Sequence, residues 1–326
     1  MNNNDIEIID ILGEETPILN AYGEELTKNT YVTNPAIARE EEIKKLVVIL
    51  ITPDKSAMLV GKPGIGKTAI VEGLAYKIQR NDVPNVLKGY KIYKVPSSSL
   101  SNKIMIDGKE DMVINALVRE LKSQTKIMLF IDEIHTLMGA RDDGPLDLAN
   151  ILKPALDRGD IKLIGATTDI EYEHYILRDR AFLRRFDKVD VLEPDQKTTM
   201  EILMGTLPKI EKKTGIKFKY TNYIQNLLIE AIVSATSQYK RIYGLAAMYP
   251  DVSFSVLNQA FSLALFDNKN EVGILEVYNA IKTSKRIYPD SIVKELATFR
   301  EKFKKICEEE NVELPVVTID DVKVDE

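Results

Sequence analysis

Short apolar runs punctuate the first 190 or so residues, and the segments between them repeat at helical spacing. The runs are SAMLV (56–60), YKIYKV (90–95), IMLFI (127–131) and IKLIGA (161–166). Each is about the length of a buried strand; SAMLV runs into glycines and IMLFI into acids. Between them, NPAIAREEEIKKLVVIL places Ile43, Val47 and Leu50 on one helical face. TAIVEGLAYKIQR is amphipathic, DMVINALVRELKS aligns Met112, Leu117 and Leu121, and ILKPALDRG reads as a short helix. Strands that alternate with helices predict an α/β fold with a doubly wound parallel sheet.

The pattern changes near Pro194. From there to residue 285 the segments TTMEILMGTLPKIEKKTG, TNYIQNLLIEAIVSATSQY, SFSVLNQAFSLALFD and GILEVYNAIKTSK are helical, which predicts a small all-helical domain. A last helix follows Pro289. Its apolar positions, Ile292, Leu296, Phe299, Phe303 and Ile306, step by four and three. They form either a coiled-coil-like seam or a face packed back on the same domain. The end, VELPVVTIDDVKVDE, reads as extended, acidic and poorly ordered. The expected divisions are an N-terminal arm (1–28), a large α/β domain (29–193), a helical domain (194–285) and a C-terminal helix with an acidic tail (286–326).

Composition narrows the function classes. A hydrophobic fraction of 44% over 326 residues suffices for packed cores. A formal net charge of −6 argues against a nucleic-acid coat. The single cysteine, Cys307, rules out an intrachain disulfide and a cysteine-based zinc cage, which fits a reducing compartment. The opening MNNNDIEIIDILGEE lacks a basic signal-peptide region, and no apolar run approaches the roughly 20 residues of a membrane span. The expected location is the cytoplasm.

Two motifs carry the chemistry. GKPGIGKT runs from Gly61 through Pro63, Gly64, Ile65 and Gly66 to Lys67 and Thr68, with Ala69 following, and matches G-x-x-x-x-G-K-[ST]. The glycines let successive backbone N–H groups point at phosphate oxygens, and the helix that opens there adds its positive end. Lys67 is expected on the β and γ phosphates of ATP, and Thr68 on Mg2+. IMLFIDEIH then delivers two carboxylates to a strand end: Asp132 to hold the metal, Glu133 to polarise a water. His135 reads as structural, because two histidines cannot build a metal cluster. In GATT (165–168) the last threonine, Thr168, either reaches the γ-phosphate or attacking water or simply ends a strand. RDRAFLRRF holds four arginines. Arg178 and Arg180 read as a solvated turn. Arg184 and Arg185 flank the end of the nucleotide domain, across the sheet from its own phosphate loop, and would stabilise transition-state charge in a neighbouring subunit. That implies an oligomer.

Together these residues resemble the AAA+ ATPases, specifically the first ATPase module of the Clp unfoldase and disaggregase family. TPILNAYGEELT, NPAIAREEEI, GKPGIGKTAIVEGLA, LFIDEIHTLMGA, LDLANILKPALDRG, IGATTDIEYEHY and AFLRRF are similar to family blocks, in order, over about residues 16–285. The resemblance implies Ile37 near the adenine, Thr168 as sensor 1, Arg184 and Arg185 as arginine fingers acting in trans, and the helical domain as a lid, with YPD (249–251) where the family has L-P-D. It implies a ring, most often hexameric, that acts on a protein partner. The sequence reads as a single such module standing alone. The central-pore loop of the family, K-Y-R-G, is matched by Met105, Ile106, Asp107 and Gly108, so the gripping aromatic is replaced by Ile106. Met105 and Ile106 either expose apolar area to a threaded chain or pack inward.

Three functions follow. The first is ATP hydrolysis to ADP and phosphate, coupled to remodelling or unfolding of a protein partner. The second is a nucleic-acid-linked ATPase of helicase or clamp-loader type. It is disfavoured because Lys103 and Lys109 are balanced by Asp107, Glu110 and Asp111. The third is a nucleotide-gated assembly adaptor, disfavoured by the intact Glu133.

Overall fold

The computed structural model describes residues 7–8, 16–106, 108–138, 148–157, 161–244 and 248–322. They fall into two compact units. One comprises Met1–Tyr31, Arg39–Gly61 and Lys67–Val191. The other comprises Val32–Ala38, Lys62–Gly66 and Leu192–Glu326.

The first unit has two sheets. A small one joins β1 (Glu7–Ile8), β5 (Lys103–Ile106) and β6 (Lys109–Met112). The main one holds β2 (Glu24–Glu25), β3 (Ser56–Val60), β4 (Lys91–Lys94), β7 (Ile127–Ile131), β8 (Lys162–Thr167) and β9 (Phe186–Asp190). Its order is β2-β4-β7-β8-β3-β9, parallel throughout except for β2 against β4. The apolar runs of the sequence become the central strands. Ala57, Met58, Leu59, Met128, Leu129, Phe130, Leu163 and Ile164 are all fully buried, as strands covered on both faces require. This is the α/β parallel sheet that the alternation predicts.

The helices of this unit are α1 (Pro17–Tyr22), α2 (Glu40–Ile51), α3 (Lys67–Gln79), α4 (Val113–Ser123), α5 (Leu148–Asp157), α6 (Asp169–Glu171) and α7 (Arg180–Leu183). α2 packs on α3, β3 and β9, and α4 packs on α1 and α5. On α2 the core face holds Ile43 and Leu50 as expected, with Leu46 buried between them in place of Val47, which is only half-buried. α1 starts without a local cap. The buried Glu120 of α4 supplies one instead: its two carboxylate oxygens accept from the Ile18 and Leu19 N–H groups at 2.8 and 2.9 Å.

The second unit is built on α8 (Gln196–Thr214), α9 (Asn222–Ala235), α10 (Asp251–Phe266), α11 (Ile274–Lys282) and α12 (Pro289–Glu310). α8 is capped by Asp195, which accepts from Thr198 N–H at 2.7 Å, and closed by Gly215 at φ 75°. The all-helical expectation needs one correction. β10 (Lys217–Phe218) pairs in parallel with β11 (Glu271–Val272), because the two turns that precede α9 and α11 run alongside each other and share their backbone hydrogen bonds. The seam of α12 packs back on its own unit. Ile292, Leu296, Phe299 and Phe303 are buried with Tyr278, Leu228 and Ile232 in a single core.

The tail also departs from expectation. It is extended, yet Leu314, Val317 and Val322 are buried in that core, and Tyr278 donates to the Pro315 carbonyl at 2.6 Å. Phe303 is fully buried, its ring tilted by 40° against that of Phe299 with centroids 4.4 Å apart. Phe303→Ala is expected to cost about 3–5 kcal/mol of unfolding free energy, read as a drop in the denaturant midpoint.

Candidate nucleotide site

Three neighbouring strands, β7, β8 and β3, bring their C-terminal ends together in the first unit. β3 ends at Val60, and Gly61 N–H donates to the Thr167 carbonyl at 3.3 Å, which ties the start of the glycine loop to the end of β8. α3 begins at Lys67, so Lys67, Thr68 and Ala69 form its first turn, where backbone N–H groups have no helical partner. The Thr68 hydroxyl donates to Asp132 Oδ2 at 2.9 Å. Two hard oxygen donors from different elements therefore meet at one point, a donor set that suits Mg2+. Lys67 Nζ donates to the Gly61 carbonyl at 2.7 Å. Burial pulls its ammonium below the usual range, against the opposing pull of Asp132, Asp169, Glu171 and Glu133. A cation that burial disfavours is placed to gain from an incoming polyphosphate.

Glu133 follows Asp132 at φ 51°, ψ 42°, in the left-handed region that only a few per cent of non-glycine residues adopt. That turn ends β7 abruptly and leaves Glu133 exposed before the short 3₁₀ turn Ile134–Leu137. Thr168 is the N-cap of α6. Its hydroxyl donates to Glu171 Oε2 at 2.7 Å and accepts from Glu171 N–H at 3.3 Å. Thr167 Oγ1 lies 3.3 Å from the same carboxylate oxygen and 3.1 Å from His135 Nδ1. Burial acts to raise the Glu171 carboxyl. Hydrogen bonds from Thr168, the charge of His135 and the Thr167 hydroxyl outweigh it, so the group sits below the usual carboxylate range. Neither Glu171 nor a linking role for His135 was read from the sequence. The available signal was Thr168-x-x-Glu171, a capping-box spacing.

Arg184 and Arg185 lie at the opposite edge of the main sheet. They precede β9, and the Arg185 carbonyl accepts from Ser56 N–H, at the start of β3, at 2.7 Å. Arg184 is exposed and Arg185 half-buried. The length of β3 separates them from Gly61, about 16 Å for five residues. The first unit does not bring them to Thr68 and Asp132 of the same chain.

The remaining loop residues group with the second unit. Gly64 and Gly66 have φ of 76° and 99°. A side chain at Gly64 would stand 2.7 Å from the Asp251 Cβ, so this glycine answers both to its backbone angle and to a close neighbour. Asp251 in turn accepts from Arg286 Nη1 at 2.6 Å. Ile65 is buried and Pro63 exposed. Ile37 packs on α8 over Gly205, where an added Cβ would come within 2.4 Å of the Ile37 Cδ1.

Met105, Ile106 and Gly108 belong to the β5–β6 hairpin, in register Met105↔Glu110 and Ile106↔Lys109. Asp107 lies outside the described residues. Gly108, at φ 73°, has open space around it. Ile104 is buried and Ile106 is partly buried against the same core. Strand alternation turns Met105 to the other face, so Met105 and Ile106 do not form one apolar pair. Backbone pairing continues outward to β1, with Glu7↔Ile104 and Ile8↔Met105.

A parallel sheet that ends in a glycine-rich loop, with a lysine and threonine opening a helix and a neighbouring strand ending in aspartate and glutamate, defines a P-loop ATPase. Residues 57–193 match the ATPase family associated with various cellular activities (AAA). That matched region is an AAA ATPase module, and it is similar to those of Clp-type proteins. It is 42% identical to the chaperone protein ClpB of Aquifex aeolicus over 229 residues, 70% of this chain and 22% of that protein. It is 40% identical to the ATP-dependent Clp protease ATP-binding subunit ClpE of Bacillus subtilis over 256 residues, 77% of this chain and 35% of that one. Among solved structures, the Saccharomyces cerevisiae Hsp104–casein complex in an extended conformation superposes with a TM-score of 0.63 at 32% identity, covering 78% of this chain and 43% of that chain. The chain thus spans about a fifth to a third of the length of these two curated relatives. Among the described residues no helix is long and apolar enough to cross a membrane.

Proposed function

We propose that this module hydrolyses ATP to ADP and phosphate with Mg2+, within a ring of like subunits, and uses the cycle to remodel a protein partner in the cytoplasm. The observation that carries the hydrolytic part is the meeting of Thr68 and Asp132 at 2.9 Å, with Glu133 next in the chain. Thr68 and Asp132 would hold Mg2+, which neutralises phosphate charge when bound. Lys67 would leave the Gly61 carbonyl for phosphate oxygens. The backbone N–H groups at the start of α3 would take the remaining phosphate charge. Glu133 would hold a water and accept its proton during attack. Ile37 would line the adenine end, and Gly61, Pro63, Gly64, Ile65, Gly66 and Ala69 would wrap the phosphates.

The placement of Arg184 and Arg185, a strand's length from their own phosphate loop, supports service to a neighbouring subunit and therefore a ring. Likeness to a structure that carries casein supports a protein partner. So does the hairpin, where Lys103 is ion-paired with Glu110 at 2.6 Å and its charge is already matched.

Two measurements test the coupled function. ATP turnover should vanish when EDTA removes Mg2+. It should rise on addition of unfolded casein, and Met105→Ala should reduce that rise while leaving basal turnover in place. If casein stimulates neither protein, the threading role is lost and the ATPase reading survives.

A further inference from the structure

A hydroxyl group has one proton and two lone pairs. In Thr168 the proton goes to Glu171 Oε2, and one lone pair takes the Glu171 backbone N–H. A single acceptor position is left. The same carboxylate oxygen also takes the Thr168 backbone N–H at 3.1 Å and the Thr167 hydroxyl. Because Thr167 spends its proton on Glu171, its oxygen is left to accept from His135. This places the ring proton on Nδ1, which is also 3.2 Å from Glu171 Oε2. The arrangement therefore has one direction: His135 donates to Thr167, and Thr167 and Thr168 both donate to Glu171. Thr168 sits one residue past the carbonyl that holds Gly61.

We propose that Glu171 is a positioning residue that fixes the polarity of Thr168. With its proton held by Glu171, the Thr168 oxygen meets the reacting groups only as an acceptor. A γ-phosphate oxygen has no proton to offer, whereas a water has two. Thr168 is thereby suited to orient the attacking water and unsuited to grip the phosphate. His135 steadies the carboxylate through Thr167. The inference rests on the hydrolytic reading above. It decides between the two contacts that the sequence leaves open for Thr168.

The test compares wild type with Glu171→Ala, Glu171→Gln, Thr168→Val and the Glu171→Ala/Thr168→Val double variant. The readouts are kcat and the ratio of ADP affinity to the affinity for a non-hydrolysable ATP analogue. Removing the carboxylate frees the hydroxyl to donate to the γ-phosphate. Glu171→Ala should then favour the analogue over ADP by roughly threefold or more, while kcat falls roughly tenfold. Adding Thr168→Val should abolish the gained preference. Glu171→Gln, whose amide oxygen still accepts from the hydroxyl, should keep the wild-type ratio. An unchanged ratio in Glu171→Ala overturns the proposal whatever happens to kcat or melting temperature, because loss of a helix cap alone weakens both nucleotides alike. A wild type that binds ATP without turnover would overturn the hydrolytic reading instead, and the binding ratio would still decide the polarity of Thr168.

Discussion

Glu133→Gln is expected to lower ATP turnover by about 10²–10⁴-fold and to leave ATP binding intact. The side chains are equal in length, so a glutamine still reaches a water in front of the phosphate. It cannot take the proton. The backbone adds no complication, because φ 51° at this position is as tolerable for glutamine as for glutamate. Binding rests on other groups: Lys67, the first turn of α3 and the glycine loop. The check is a single-turnover rate beside an equilibrium titration with ATP. A rate within about twofold of wild type would remove the water-activating role from Glu133 and raise the adaptor reading. The same variant holds nucleotide without consuming it, so its mass in the presence of ATP reports the assembled state.

Arg184→Ala is expected to reduce turnover by about 10³-fold or more, the range for an arginine that neutralises charge on a transferring phosphoryl group. The expectation depends on a neighbour. Arg184 is exposed at the start of β9, and the full length of β3 lies between that edge and the phosphate loop of the same chain. Mixing Arg184→Ala with Glu133→Gln, each inactive alone, should therefore restore part of the activity. Some junctions in the mixed ring then pair an intact arginine with an intact glutamate. Recovery without assembly, or assembly without recovery, would count against action in trans. Arg185 is half-buried, so its replacement should add a loss of stability to any loss of rate.

Much of the first unit could be read in the sequence because parallel strands buried on both faces are unbroken apolar runs, and SAMLV and IMLFI are of that kind. Two such runs, each ending in a chemical motif, sufficed to place Thr68 and Asp132 at strand ends on the same edge of the sheet. What escaped depends on distant partners. Glu120 caps α1 from a hundred residues away, and no spacing rule connects them. The β10–β11 pair is two residues per strand, too short for a period. The tail read as poorly ordered because five acids are interspersed among its apolar residues, yet Leu314, Val317 and Val322 each find the helical core. The role of Glu171 was hidden by a local motif with a plain structural meaning. Only the shared carboxylate oxygen, reached by two threonines and a histidine ring, reveals more.

The hairpin of β5 and β6 belongs to a different sheet from the strands that end at the phosphate loop, at Asp132 and at Thr168. Among the described residues, its strands pair only within the small sheet, so its tip can be rewritten without shifting a strand that bears chemistry. In evolutionary terms the two properties are separately heritable. The tip residues Met105 and Ile106 can change over generations while the strands that end at the phosphate loop, at Asp132 and at Thr168 pass on unaltered.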